Sequence, residues 1–421
     1  MSRFVQRLVA LSVLAASASV IAAGSGRAAT QSGSVRGLWV PRTALTSPDS
    51  IATMVQTAAG GGFNTLLVQV RGRGEAFYRS SIEPRSSDLD RQPIDFDPLG
   101  HVIKLARPAG LAVHAWVNVN LVASGTTLPR SREHVVAQHP DWLMVPKALA
   151  GTLRKTGVVS PAYLGTLARW TRSQTDQVEG LYLSPVTAAS RAYTTSVVAE
   201  LASRYELDGI HLDYIRYPSA EFDYSGAALA AFRDAVSGGE PRAERDRLDR
   251  AATVNPAAWA EARPALWAAF HRDRLTSLTA GIQNAVRTAR PGIVVSAAVV
   301  GVSAEARDAR YQDWLTWAKA GHIDVACPML YSLSTDQFAA VTTDIRAALG
   351  TTPFWAGIGA YRLPVDGTIE RVRLARRANA DGVLLFSYGQ LADVAAASPA
   401  ALSALRPVLL EAANGSGTPR D

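Results

Sequence analysis

The stretch DGIHLDYIRYP (Asp208–Pro218) begins as a buried strand and ends as something else. Ile210 and Leu212 alternate with His211 and Asp213, so one face is apolar and the other polar. An arginine and two tyrosines then crowd in ahead of Pro218, which cannot continue a ladder. A charge inside a strand costs several kcal/mol unless it is paired. A parallel barrel resolves the conflict. Its strands turn apolar side chains toward surrounding helices and can carry polar ones inward at their C-terminal ends, where such folds hold their sites.

Seven further runs follow the same plan: RGLWV (36–40), NTLLVQV (64–70), AVHAWVNV (112–119), IVVSAAVV (293–300), DVACPML (324–330), FWAGIGA (354–360) and GVLLFSY (382–388). Helical periodicity fills the intervals, as in IATMVQTAAGG, PLGHVIKLARPAG and TIERVRLARRANADG, each ending at Gly, Pro or Asn. Eight strands alternating with helices predict an α/β fold, a closed (β/α)8 TIM barrel. An open doubly wound sheet would want a Gly-rich phosphate loop after its first strand, and RGLWVPRT is not one. Two connections, after the third and fourth strands, are long enough to be insertions; they leave from the C-terminal rim and are expected to shape a cleft.

The ends differ in kind. Residues 1–29 combine MSRFVQR, the apolar LVALSVLAASASVIAA and small residues, the pattern of a secretory signal. The expected division is therefore signal 1–29, barrel 30–410 and a disordered tail 411–421, in a protein exported to the periplasm, cell wall or beyond. Cys327 is the single cysteine, so neither an internal disulfide nor a Cys-based zinc site can form. The net charge of +7 falls to +4 once Arg3, Arg7 and Arg27 leave with the signal. No basic run is interleaved with aromatics, so nucleic acid is not an expected partner, nor is a membrane span after signal removal.

Alternation places Gln69 and Arg71 inward on the second strand, and His114, Trp116, Asn118 and Asn120 inward on the third. A barrel built for stability alone fills those layers with Val, Ile and Leu. Polar residues converging at one rim indicate a site.

Taken in order, RGLWV, FNTLLVQVRGRGEAFYRSSIEP, GLAVHAWVNVN with HPDWLM, DGIHLDYIRYP, IDVACPMLYS and GVLLFSYG resemble the glycosyl-hydrolase-like family 10, barrel proteins of the bacterial envelope. The resemblance spans roughly residues 35–400. It implies hydrolysis of an envelope polysaccharide, such as the glycan strands of peptidoglycan; the scattered histidines and lone cysteine add the expectation that no metal or organic cofactor takes part. Many members carry two adjacent acids where this chain has Asp213-Tyr214, and Asp where it has Glu75.

Glycoside hydrolysis needs one carboxyl to protonate the leaving oxygen and a second as nucleophile or base. Asp213 is the expected central group, Glu75 its partner and Asp336 the reserve. Arg71 and Arg216 are placed to hold a carboxylate ionised. Trp39, Trp116, Tyr217, Tyr331, Tyr361 and Tyr388 offer platforms for sugar faces, and Asn118, Asn120 and His211 offer hydrogen bonds to hydroxyls. Two rivals stand beside this reading: a glycan-binding barrel without turnover, and a metal-dependent deacetylase using His114 and His211.

Overall fold

The computed structural model describes residues 34–397 and 399–411. The segment 1–29 read as a signal, and all but the first residue of the tail, lie outside them. Among the described residues ten strands form, numbered here in chain order: β1 (Val35–Val40), β2 (Thr65–Arg71), β3 (Ala112–Asn118), β4 (Leu121–Ser124), β5 (Gly180–Tyr182), β6 (Gly209–Asp213), β7 (Val294–Val300), β8 (Val325–Met329), β9 (Trp355–Gly359) and β10 (Gly382–Phe386). Eight close a parallel barrel in the order β1-β10-β9-β8-β7-β6-β3-β2, and β4 pairs with β5 in a separate antiparallel ribbon. All eight runs read from the sequence are barrel strands.

The two faces divide as alternation requires. Leu38, Val68, Val70, Ala115, Val117, Ile210, Leu212, Ile358 and Leu385 join one large core with the surrounding helices. Trp39, Leu67, Trp116, Val325, Cys327, Trp355 and Leu384 pack inside the barrel, which is filled rather than hollow. Helix starts follow local chemistry. Ser47 and Ser334 make capping boxes for Pro48–Gly60 and Thr335–Leu349, and Asp97 and Thr187 cap Pro98–Ala106 and Ala188–Arg204.

The N-terminal rim is pinned by side chains. Asn64, Asp208, Asp324 and Asp381, each immediately ahead of β2, β6, β8 or β10, accept the N–H of Arg36, Val113, Val295 and Phe354 at 2.8, 2.8, 2.8 and 3.0 Å. Asp208 and Asp324 are thus structural, as their positions ahead of the strands suggest.

Both insertions are structured. The first, between β3 and β6, carries the β4–β5 ribbon over its own apolar cluster of Val122, Leu143, Tyr163, Leu167 and Leu181. The second, between β6 and β7, is helical and packs Tyr224, Phe232, Trp259 and Trp267 together. Among the described residues no helix is long and apolar enough to cross a membrane.

Candidate active site

Asp213 ends β6 on the inner face, opposite Asn118 of β3. Its Oδ2 accepts from the Trp116 indole N–H at 3.1 Å and its Oδ1 from the Tyr214 backbone N–H at 2.7 Å. Tyr214 has φ 50, a left-handed conformation that costs a bulky residue on the order of 1–3 kcal/mol. It takes the chain out of the strand and sets the Tyr214 ring 4.2 Å beneath the Arg216 guanidinium. One guanidinium nitrogen of Arg216 lies 3.5 Å from Asp213 Oδ1, and the other lies 3.7 Å from Glu179 Oε1. Glu179 immediately precedes β5, and its Oε2 accepts from the Tyr182 hydroxyl at 2.6 Å. The two carboxylates are consequently within about 9.5 Å of each other, the two contacts plus the width of one planar guanidinium. Burial raises the pKa of Asp213 above the usual carboxyl value, against the opposing pull of Arg216 and its two hydrogen bonds. The Asp213 side chain keeps 9% of its surface open and that of Glu179 44%, so one acid is nearly enclosed and the other wet.

Beside this pair stands an aromatic wall. Tyr331 stacks on Phe386 with centroids 5.5 Å apart, and Tyr361 meets both edge-on. Tyr361 is 40% exposed, and Tyr331 and Phe386 are half-buried. Trp39 lies beneath, edge-on to Tyr331 and Phe386 and itself buried. It forms the floor rather than an open platform.

Several residues expected to touch a ligand are instead internal. Arg71 is wholly buried and forms an ion pair with Glu83 at 2.6 Å, while its other arm donates to the carbonyls of Asn118 and Val119. The partner from the SSIEP loop consumes the guanidinium, so Arg71 braces the rim. Asn118 spends its amide on Gln69 and Gly72, and Asn120 donates to the Arg216 carbonyl. Both are buried and hold neighbouring loops. His211 accepts from the Trp39 indole at 3.0 Å and donates to Ser296 at 2.9 Å. Burial pushes its pKa well down, and with both nitrogens engaged it is a core histidine with no lone pair left for a metal. Tyr217 is fully enclosed, its hydroxyl 2.9 Å from His271 and its ring against Tyr311. The turn at Tyr214 ends the alternation that would have faced it inward. Tyr388 opens the helix Tyr388–Ala397 and packs into the outer core; Phe386 takes the wall position expected for it. Trp116 is buried and acts through its hydrogen bond to Asp213.

Glu75 and Asp336 are not joined to this cluster. Glu75 accepts from Ser86 at 3.0 Å in a separate cavity with Arg42 and Arg73. Asp336 is exposed in the first turn of Thr335–Leu349, where an acid complements the helix dipole. The sequence reading missed Glu179 and Phe386. Strand alternation through Leu384 would have found Phe386. Glu179 carried no signal beyond its place just before the short strand GLY in an insertion.

These features sit on a recognisable chain. A model of the family described as Glycosyl hydrolase-like 10 matches residues 34–348. The chain belongs to that family. The glycosyl hydrolase DigH of Escherichia coli strain K12 is 24% identical over 298 residues, 64% of this chain and 55% of that protein. The glycosyl hydrolase YngK of Bacillus subtilis strain 168 is 23% identical over 291 residues, 64% of this chain and 46% of that one. The chain thus spans about half the length of the curated relatives it matches. The PgaB (BpsB) glycoside hydrolase domain of Bordetella bronchiseptica superposes with a TM-score of 0.59 at 15% identity, covering 89% of this chain and 99% of that one. The cold-adapted β-galactosidase of Rahnella sp. R3 gives 0.56 at 15% identity, over 91% and 57%. At these identities the structures report the shared (β/α)8 fold. Family and fold together make this a glycoside hydrolase-like barrel.

Proposed function

We propose that the chain is an exported glycoside hydrolase that cleaves O-glycosidic bonds in a bacterial envelope polysaccharide, the glycan strands of peptidoglycan. The observation that carries the reading is one guanidinium, Arg216, between an enclosed carboxyl and an open one at the C-terminal rim. Asp213, its pKa raised chiefly by burial, holds a proton for the leaving oxygen. As the C1–O bond breaks, that proton passes to the departing sugar. Glu179, fixed by Tyr182, takes a proton from water attacking C1 or attacks C1 itself. The limit of about 9.5 Å admits either course, since retaining pairs stand about 5–5.5 Å apart and inverting pairs about 6.5–9.5 Å. Tyr331, Tyr361 and Phe386 offer ring faces to the sugars. Export rests on the signal-like residues 1–29, and the glycosidic bond on family membership.

The test is to incubate the chain from about Thr30 with peptidoglycan and with peptide-free glycan strands, and to read soluble fragments by mass spectrometry. Asp213→Asn and Glu179→Gln should each lower release by about 10²-fold or more while binding persists. Equal release from wild type and Asp213→Asn would remove Asp213 from the chemistry. One observation favours a glycan-binding barrel without turnover: Arg216 against Asp213 opposes the protonated form. On that reading no fragments form, binding survives both substitutions, and a chelator changes nothing.

A further inference from the structure

Apart from the Asp213 cluster, a cavity of about 380 Å³ opens at the same rim, between the loops after β1 and β2 and the segment following β4. Arg42, Arg73 and Arg130 line it with the acids Glu75 and Asp88 and the hydroxyl of Ser124. The positive charge is only partly used. Arg42 pairs with Asp88 at 3.5 Å, and Glu75 is hydrogen-bonded to Ser86. Among the described residues the side chains of Arg73 and Arg130 make no hydrogen bond and no ion pair, and both are exposed. Burial and, after it, the charge of Arg73 lower the pKa of Arg42, while Asp88 and Glu75 act to raise it, so the two guanidiniums sense each other across the cavity.

The presentation of Arg73 is built, not incidental. Gly74 has φ +67, and a Cβ there would lie 2.8 Å from the His134 ring. His134, wholly buried, accepts the Val136 N–H at Nδ1, so its Nε2 carries the proton and donates to the Arg73 carbonyl at 2.8 Å. The backbone is clamped while the guanidinium is left free over the cavity. The cavity also adjoins the proposed cleft: Ser124 pairs with Gly180 in the ribbon, and Gly125 donates to the carbonyl of Glu179 at 3.0 Å.

We propose that Arg42, Arg73 and Arg130 form an anion subsite that receives a carboxylate or phosphate carried by a sugar flanking the bond presented to Asp213 and Glu179. Guanidinium forks match both groups in a bidentate manner, and the neighbouring acids and hydroxyls suit sugar hydroxyls. The sugar part of the ligand rests on the glycan-cleaving reading; the anion does not.

Calorimetric titration of the full chain from about Thr30 with three matched probes tests this: chitotetraose, its C6-carboxylated form and its 6-phosphorylated form. At low salt one charged probe should bind about tenfold more tightly than chitotetraose. Its identity distinguishes carboxylate from phosphate. The preference should vanish in the Arg73→Ala/Arg130→Ala variant, both exposed positions, with chitotetraose affinity unchanged. Equal affinity for all three probes, failure of the charged probes to bind, or a preference that survives the double variant would overturn the subsite. Because binding is read without turnover, a chain that shows the preference yet releases no glycan fragments loses the hydrolase reading and keeps this one.

Discussion

Glu83→Gln tests whether Arg71 is a brace or a substrate contact. Both side chains are wholly removed from solvent, and Glu83 accepts from Arg71 Nε at 2.8 and 2.9 Å, from a terminal nitrogen at 2.6 Å and from the Tyr193 hydroxyl at 2.9 Å. The amide fills the same space but leaves a guanidinium buried without a counter-charge. Breaking one side of such a pair costs about 3–5 kcal/mol. In a chain of this size that lowers the melting temperature by roughly 5–10 °C. Urea midpoints followed by circular dichroism at neutral pH would measure the loss. Arg71→Met/Glu83→Leu should cost less than Glu83→Gln, since it removes both charges and keeps the volume. Its remaining deficit reflects the carbonyls of Asn118 and Val119, which lose their donor. Stability within about 1 kcal/mol of wild type, together with weakened glycan binding, would refute the brace and restore Arg71 to the cleft.

Three further perturbations follow from the same contacts. Trp116→Phe removes a hydrogen bond that favours the Asp213 carboxylate, so the alkaline limb of kcat/KM, where Asp213 loses its proton, should move to higher pH; a downward move would contradict Asp213 as the acid. His271 is buried with a folded pKa of about 3 against an ordinary 6.5, so its contribution to stability is whole above pH 6.5 and is lost as pH falls toward 3. His271→Phe should therefore lose less stability than wild type over that window, by about 1.4 kcal/mol per pH unit in urea midpoints; parallel curves would show that His271 does not titrate between the folded and unfolded chains. Phe386→Ala should weaken glycan binding by roughly tenfold, the worth of one aromatic platform, and raise KM more than it lowers kcat.

The barrel was legible because its signal is repeated. Eight apolar runs with period-two alternation leave little freedom, and the inward turn of Trp39, Trp116 and Asp213 follows from counting along a strand. What failed lies where the period ends. Tyr214, at φ 50, takes the chain out of the strand, so Tyr217 faces His271 instead of the cleft. Tyr388 follows helix geometry, not strand geometry. Arg71 obeys the alternation, yet its inward position leads to Glu83, which returns from a loop without any periodic mark. Glu179 was hidden for the same reason: it reaches Arg216 through the β4–β5 ribbon, whose short strands carry no pattern that a sequence displays.

The clamps at the N-terminal rim divide the barrel in a way its continuous hydrogen bonding conceals. Asn64 ties β2 to β1, Asp208 ties β6 to β3, Asp324 ties β8 to β7, and Asp381 ties the start of β10 to the chain entering β9. Each joins strands adjacent in the barrel and none is shared, so the cylinder is made of four fastened quarters. The exposed turn at Gly238 and Gly239 falls between the second and third of them. A chain opened there would carry two complete quarters on each side, including the β3–β6 pair that presents Asp213. Two half-barrels with every fastening intact are the natural pieces from which this molecule could be reassembled.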